Sequence, residues 1–292
     1  MPTADRSITL QPRDFLLLRG LFDSRILTLS HISRLYFEER NEAAKKRVQK
    51  LKAAGFLSER ARKTTERSVL FLARKGFQAL TDEGHLSQFP QLSWKALEKR
   101  MQVSELTLRH ELAIQDVKTA LTLAVNHTAH FSIAQFSTWP LLYEFRVTLP
   151  VGGSMFARPE ILVKPDGFIE ILEKDAEGQK FRRLFFLEVD RSTETLNTLL
   201  TKAIAYREHY RTGGLALKFG APKEAFNEYP FRVLIVCKSE ARRDNVAANL
   251  LKVNPPILKQ CWMTTLQEVT TDALGEIWKK PEDSGEKRNS LL

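Results

Sequence analysis

Residues 164–171, KPDGFIEI, and residues 185–195, FFLEVDRSTET, decide the fold of the larger part of this chain. Both place carboxylates at the end of an apolar run, and the polar stretch EKDAEGQK (173–180) lies between them. Two extended runs joined by a short polar turn form an antiparallel hairpin, whose cross-strand partners keep a constant sum of residue numbers. Centring the turn on Glu177 sets that sum at 354, so Asp166 faces Glu188 and Lys164 faces Asp190. Side chains alternate along a strand, which puts Glu188 and Asp190 on one face. Asp166, Glu188 and Asp190 are therefore expected to meet at one end of an apolar strand pair. Like charges gathered in a buried place require a cation, a proton or an arginine, and Arg191 stands beside them. Clustered hard oxygen ligands suit Mg²⁺ or Mn²⁺, which can activate water and steady a phosphoryl transition state.

On either side of the hairpin, helical and extended patterns alternate. Residues 104–126 read as a long amphipathic helix capped by Ser104, with His110, Ile114, Val117, Leu121 and Ala124 on one face. Strands are expected at 131–139, 159–172, 181–189, 231–239 and 257–265, and helices at 195–211, 240–252 and 266–279. The unbroken apolar run FRVLIVCKS (231–239) marks a strand covered on both faces. This order specifies an α/β domain around a mixed sheet, placed at 104–280. The polar end, 281–292, is expected to be disordered.

The 292 residues carry a formal net charge of +10, and the charge is unevenly placed. Residues 1–100 hold 20 lysines and arginines against 11 acidic residues; the remainder holds 25 against 24. A basic first third points to a polyanionic partner. Composition is that of a folded protein, with 43% hydrophobic and 27% charged residues. No apolar run approaches the ~18 residues of a membrane span, and no secretory signal is readable, so a cytoplasmic location without a membrane partner is expected. Two distant cysteines, Cys237 and Cys261, exclude a disulfide framework and a cysteine zinc site.

Within that basic third, helices are expected at 12–22, with Pro12 in the first turn, at 28–37, and at 41–54. Asn41 is the expected cap of the third, Ala44, Val48 and Leu51 its inner stripe, and Gly55 its stop. FLSER and VLFLARKG follow as two short strands joined by the basic loop RARKTTERS, then a helix over GFQALTDEG. Three helices followed by a hairpin is the order of a winged helix-turn-helix over 1–86, with 87–103 as a linker that carries some helix.

The phrase KRVQKLKAAGFLSER…VLFLARKGFQAL resembles winged-helix domains of bacterial DNA-binding proteins, whose third helix enters the major groove. That resemblance implies DNA contacts from Lys45, Lys46, Arg47, Gln49 and Lys50, and wing contacts to phosphate from Arg60, Arg62, Lys63 and Arg67. Arg47 and Gln49 are the side chains expected to reach base edges. Lys45, Arg47 and Lys50 all lie off the packing stripe, so neutralising them is expected to leave the fold intact.

KPDGFIEI…FFLEVDRSTET in turn resembles the PD-(D/E)XK, or restriction-endonuclease-like, nuclease fold. The longer pattern LRHELAIQDV…PDGFIEI…FFLEVDRSTET…KAIAYREHY resembles the replication-relaxation family of plasmid and mobile-element proteins. The resemblance implies double-stranded DNA as partner, plasmid replication or relaxation as setting, and Mg²⁺ or Mn²⁺ held by Asp166, Glu188 and Asp190. The nuclease motif ends in lysine, and this chain has Asp190 there. Lys202, one turn before Tyr206 on the next helix, and Lys164 across the hairpin are the candidates to supply it. His110 and Glu111, on the first helix of the domain, are further candidate site residues. Three readings follow: a metal-dependent nicking enzyme or endonuclease; a non-catalytic initiator or transcriptional regulator using a degenerate nuclease fold for dimerisation or DNA clamping; and a restriction-like defence nuclease. A homodimer is compatible with all three.

Overall fold

The computed structural model describes residues 8–292 except 62–65, 139–142, 150–159, 193, 254–258, 284 and 286. The chain divides into two compact units, with the boundary between Thr119 and Ala120, inside one helix.

The first unit opens with α1 (Pro12–Ser24), β1 (Leu27–Thr28), α2 (Leu29–Tyr36) and α3 (Asn41–Ala53). It continues through β2 (Leu57–Glu59), β3 (Val69–Leu72), α4 (Arg74–Asp82), α5 (Trp94–Met101) and the first part of α6 (Glu105–Asn126). Pro12 occupies the first turn of α1, where its missing N–H costs nothing. Thr28 caps α2, its hydroxyl accepting from His31 N at 3.3 Å. Helix α3 begins at Asn41 itself, so Arg40 stands in the capping position without a side-chain cap bond. β3 is the central strand, pairing antiparallel with β1 and β2. Leu17, Leu21, Phe22, Ile32, Ala44, Leu51, Leu70 and Leu80 form one buried cluster. Leu97 and Met101 belong to that cluster. The helix expected within the linker is α5, and it packs into this core: Ser93 caps it, and the two apolar residues one turn apart face inward.

The second unit takes the end of α6, β4 (Phe131–Ser137), β5 (Phe145–Thr148), β6 (Glu160–Val163), β7 (Gly167–Lys174) and β8 (Lys180–Asp190). Then come α7 (Leu196–Arg211), α8 (Gly214–Lys218), a 3₁₀ turn, β9 (Phe231–Cys237), α9 (Glu240–Leu250), β10 (Cys261–Thr265) and α10 (Leu266–Thr271). Five strands form a mixed sheet in the order β10-β9-β8-β7-β4: β10, β9 and β8 are parallel, β7 is antiparallel to β8, and β4 is antiparallel to β7. Leu184, Phe186, Val233, Ile235 and Cys237 pack against Ala203, Tyr206, Val246 and Leu250, so α7 and α9 cover one face. Unbroken burial from Val233 to Cys237 agrees with a strand covered on both sides.

Two differences from the sequence reading matter. The expected strand 159–172 is two strands, broken at Pro165, because proline has no N–H to donate to a ladder. β6 pairs with β5 rather than with β8. The polar end is also ordered where described: Trp278 bridges Asn289, and Leu291 is buried.

Candidate active site on the central strand pair

The β7–β8 hairpin closes through Asp175, whose N–H donates to Gln179 O and whose carboxylate accepts from Gln179 N. Gly178 takes the left-handed conformation that this turn needs, at φ +85°. Every pair in the ladder, from Lys174↔Lys180 to Gly167↔Leu187, keeps the sum 354. One step beyond, Asp166 and Glu188 stand at the same level. Asp166 N donates to Leu187 O at 3.0 Å, and Asp166 Oδ2 accepts from Val189 N at 2.7 Å. Asp166 is thus fixed to the backbone on both sides of Glu188.

Glu188 is 3% exposed. Burying a carboxylate is tolerable only when its oxygens are satisfied, and helix α7 does this. Lys202 and Tyr206 lie four residues apart and share a helix face. Tyr206 O–H donates to Glu188 Oε1 at 2.5 Å, and Lys202 Nζ donates to Oε2 at 3.0 Å. Lys202 also reaches Glu194 Oε1 at 2.9 Å. Thr195 starts the helix in register for these contacts, its hydroxyl accepting from Thr198 N at 3.2 Å.

Burial pushes the Glu188 carboxyl up to about 7, with Lys202 opposing and Asp166 adding to the rise. Lys202 is raised by Glu188 and Glu194 against its own desolvation and stays protonated. A folded value above the ordinary 4.5 favours the protonated native state. Its stabilising contribution is complete below pH 4.5 and is lost as pH rises through 7. Glu188→Gln removes that titration. Denaturant unfolding from pH 4 to 8 is expected to show wild-type stability falling between about pH 4.5 and 7 relative to the variant and levelling off above. Parallel curves would count against the assignment.

Asp190 lies on the same face of β8 as Glu188, as strand alternation requires. Its partner is different. Arg242 Nε, from α9, donates to Asp190 Oδ2 at 2.5 Å, and Ser192 N donates to Oδ1 at 2.8 Å. Arg242 also holds Glu194 O at 2.8 Å. The guanidinium on this carboxylate comes from Arg242 rather than neighbouring Arg191. Among the described residues, no group of three histidine, cysteine or acidic side chains is placed to hold a metal ion. Lys164 does not face Asp190; the ladder ends at Gly167, and Lys164 pairs with Glu144 at 3.4 Å.

The remaining candidates lie in the first unit. Glu111 accepts from Arg25 at 2.8 Å, and His110 is its half-buried neighbour on α6. On α3, Lys45, Lys46, Gln49 and Lys50 are exposed. Arg47 is instead held inward: its Nε donates to buried Asp14 at 2.8 Å, and a second nitrogen reaches Thr9 O at 3.0 Å. Arg60 donates to Val103 O at 2.6 Å and pairs with Glu105. Arg67 is exposed, 3.5 Å from Asp116. Arg62 and Lys63 lie outside the described residues.

Sequence reasoning missed Asp14 and Arg242. Asp14 had a local signal as the third residue of α1, where it accepts from Gln11 N at 2.7 Å, but nothing local points to Arg47.

No helix among the described residues is long and apolar enough to cross a membrane. No curated protein and no solved structure matches the chain. The pattern that defines the replication-relaxation family matches residues 18–219, which take in both the basic helix α3 and the Asp166–Glu188–Lys202–Tyr206 constellation; the chain belongs to that family.

Proposed function

We propose that this protein binds double-stranded plasmid or mobile-element DNA through a winged helix-turn-helix in its first unit, and nicks it with a PD-(D/E)XK-type site in its second. The observation that carries the catalytic reading is Lys202 Nζ, 3.0 Å from Glu188 Oε2. It supplies from α7 the ammonium that the nuclease motif places where this chain has Asp190. Asp166, immediately before β7, and Glu188 on β8 offer two hard oxygen donors at one level of the hairpin. These two residues would hold Mg²⁺ or Mn²⁺, with Asp190 left to Arg242. When bound, the metal supplies Lewis-acid stabilisation of a phosphoryl oxygen and an activated water. Lys202 orients that water and offsets charge developing on phosphate, while Tyr206 fixes the Glu188 carboxylate by its hydrogen bond.

The test is incubation of supercoiled plasmid with Mg²⁺ or Mn²⁺. Wild type should give nicked or linear product, and Asp166→Ala and Glu188→Gln should not. A second reading, a non-catalytic DNA clamp or initiator, is favoured by the Arg242–Asp190 pair, which occupies the third carboxylate. Retained DNA binding without any product would select it.

DNA binding rests on the element order α1-β1-α2-α3-β2-β3 and on the exposed basic surface of α3. Arg47 is left out of the neutralising set because it compensates Asp14. Lys45→Gln, Lys46→Gln and Lys50→Gln together should weaken duplex binding at least tenfold. They should also flatten the log–log salt dependence by about 0.9 for each phosphate no longer neutralised. An unchanged salt slope would place the interface elsewhere.

A further inference from the structure

The second unit contains a cavity of about 830 Å³ that the nuclease reading does not use. It lies at the opposite end of β8 from Glu188 and Asp190, where β8 runs past the start of β9. Arg182, Arg183, Arg207, Arg232 and Lys259 line it, with Glu173 as the one carboxylate among the described lining residues. Phe181, Tyr210 and Phe231 supply flat apolar walls. The volume falls within the ~300–1,000 Å³ usual for small-molecule sites.

The charge balance identifies the ligand class. Arg182 pairs with Glu170 at 3.0 Å and Arg183 with Glu173 at 2.7 Å. Arg207 pairs with Glu208 at 3.1 Å. Arg232 is different: it is half-buried, and among the described residues no carboxylate pairs with it. Its guanidinium stacks 4.0 Å over the Trp262 ring, and one nitrogen donates to Leu291 O at 2.8 Å. β8 pairs Phe185 with Arg232, which makes Arg183 its diagonal neighbour on the same face. Burial and the charge of Arg183 both push Arg232 down. Glu173 answers Arg183, so Arg232 is, among the described residues, the half-buried guanidinium left beside the cavity without a carboxylate, and guanidinium forks match phosphate oxygens in pairs. The aromatic walls favour a planar ring beside that anion.

We infer that this cavity binds a nucleotide, its phosphate between Arg183 and Arg232 and its base against Phe181, on the same face of β8 as Arg183. The site is separate from the proposed cleavage site and does not depend on it.

The experiment is isothermal titration of the full chain with dAMP, inorganic phosphate and deoxyadenosine. dAMP should bind at least tenfold tighter than deoxyadenosine, and phosphate should compete with it. Arg183→Ser and Arg232→Gln should each weaken dAMP at least tenfold. Because Arg232 also packs on Trp262, thermal melting checks that this variant folds, and Arg183→Ser, on a partly exposed pair, gives the same reading without that risk. Absence of dAMP binding, or equal affinity in folded Arg183→Ser, would overturn the inference. So would a 5′-phosphorylated oligonucleotide that binds through these arginines while dAMP does not; it would reassign the cavity to a nucleic-acid strand.

Discussion

Replacement of Lys202 by methionine is expected to lower plasmid nicking by 10²-fold or more while leaving duplex affinity within about twofold. The size follows from what one preorganised charged donor contributes at a site of developing negative charge, typically 10²–10³ in rate. Methionine keeps the aliphatic stem, so packing of α7 on the sheet changes little. Loss of the ammonium leaves the Tyr206 hydroxyl as the neighbouring donor to Glu188 on α7. Lys202 is the principal influence holding the Glu188 carboxyl down, so its removal raises that group further. The alkaline shift of the nicking pH profile separates this role from a structural one. A lysine that only packed would cost rate without moving the profile. Lys202→Arg should restore charge, and so the profile, more fully than rate, because the guanidinium fork differs in reach and shape from an ammonium. Nicking at the wild-type rate in Lys202→Met would refute the assignment.

The path to Lys202 shows which parts of such a site a sequence carries. Register is a local property. The polar turn, the two apolar runs and the period of two place Asp166 level with Glu188, and the ladder follows that arithmetic residue by residue. Helical spacing is local too, so the sequence alone puts Lys202 and Tyr206 on one face. Lys164 does not follow, because the arithmetic stops holding at Pro165, where the chain leaves the ladder and β6 pairs with β5, a strand that the sequence pattern does not announce. The expectation for the linker rests on Pro90 and a missing period before Trp94, and that for the tail on polarity. Leu97, Met101 and Leu291 lie buried there because a few apolar side chains at the right spacing suffice to pack a short segment.

Partners distant in sequence are not legible in this way. Arg47 is 33 residues from Asp14, and no periodicity in either helix joins them. Helical spacing places Arg47 off the packing stripe, yet that position does not say whether a guanidinium faces solvent or an adjacent helix. The difference alters the DNA experiment: a variant set that included Arg47 would confound weaker phosphate binding with an uncompensated buried carboxylate.

Asp190→Ala is expected to destabilise the second unit by about 3 kcal/mol, the lower end of the range for breaking a buried ion pair. The Asp190 side chain has no solvent exposure and Arg242 has little, so water screens the pair weakly. Asp190 also accepts from Ser192 N, and Arg242 also donates to Glu194 O, so each residue ties the end of β8 to the chain entering α7. Arg242→Ala should cost a similar amount, because it strands Asp190 as a buried charge. The double variant should cost clearly less than the two single losses together, which a double-mutant cycle in urea measures as a coupling energy. Additive losses would mean the pair is not coupled. The same residues decide what Asp190 does. If it braces α9 and α7 against β8, residual nicking in folded Asp190→Asn should keep its wild-type dependence on Mn²⁺ concentration. A metal ligand would shift that dependence at once. The proximity of Arg242 favours the bracing role, because a guanidinium at 2.5 Å already supplies the positive charge that a metal would otherwise bring to this carboxylate.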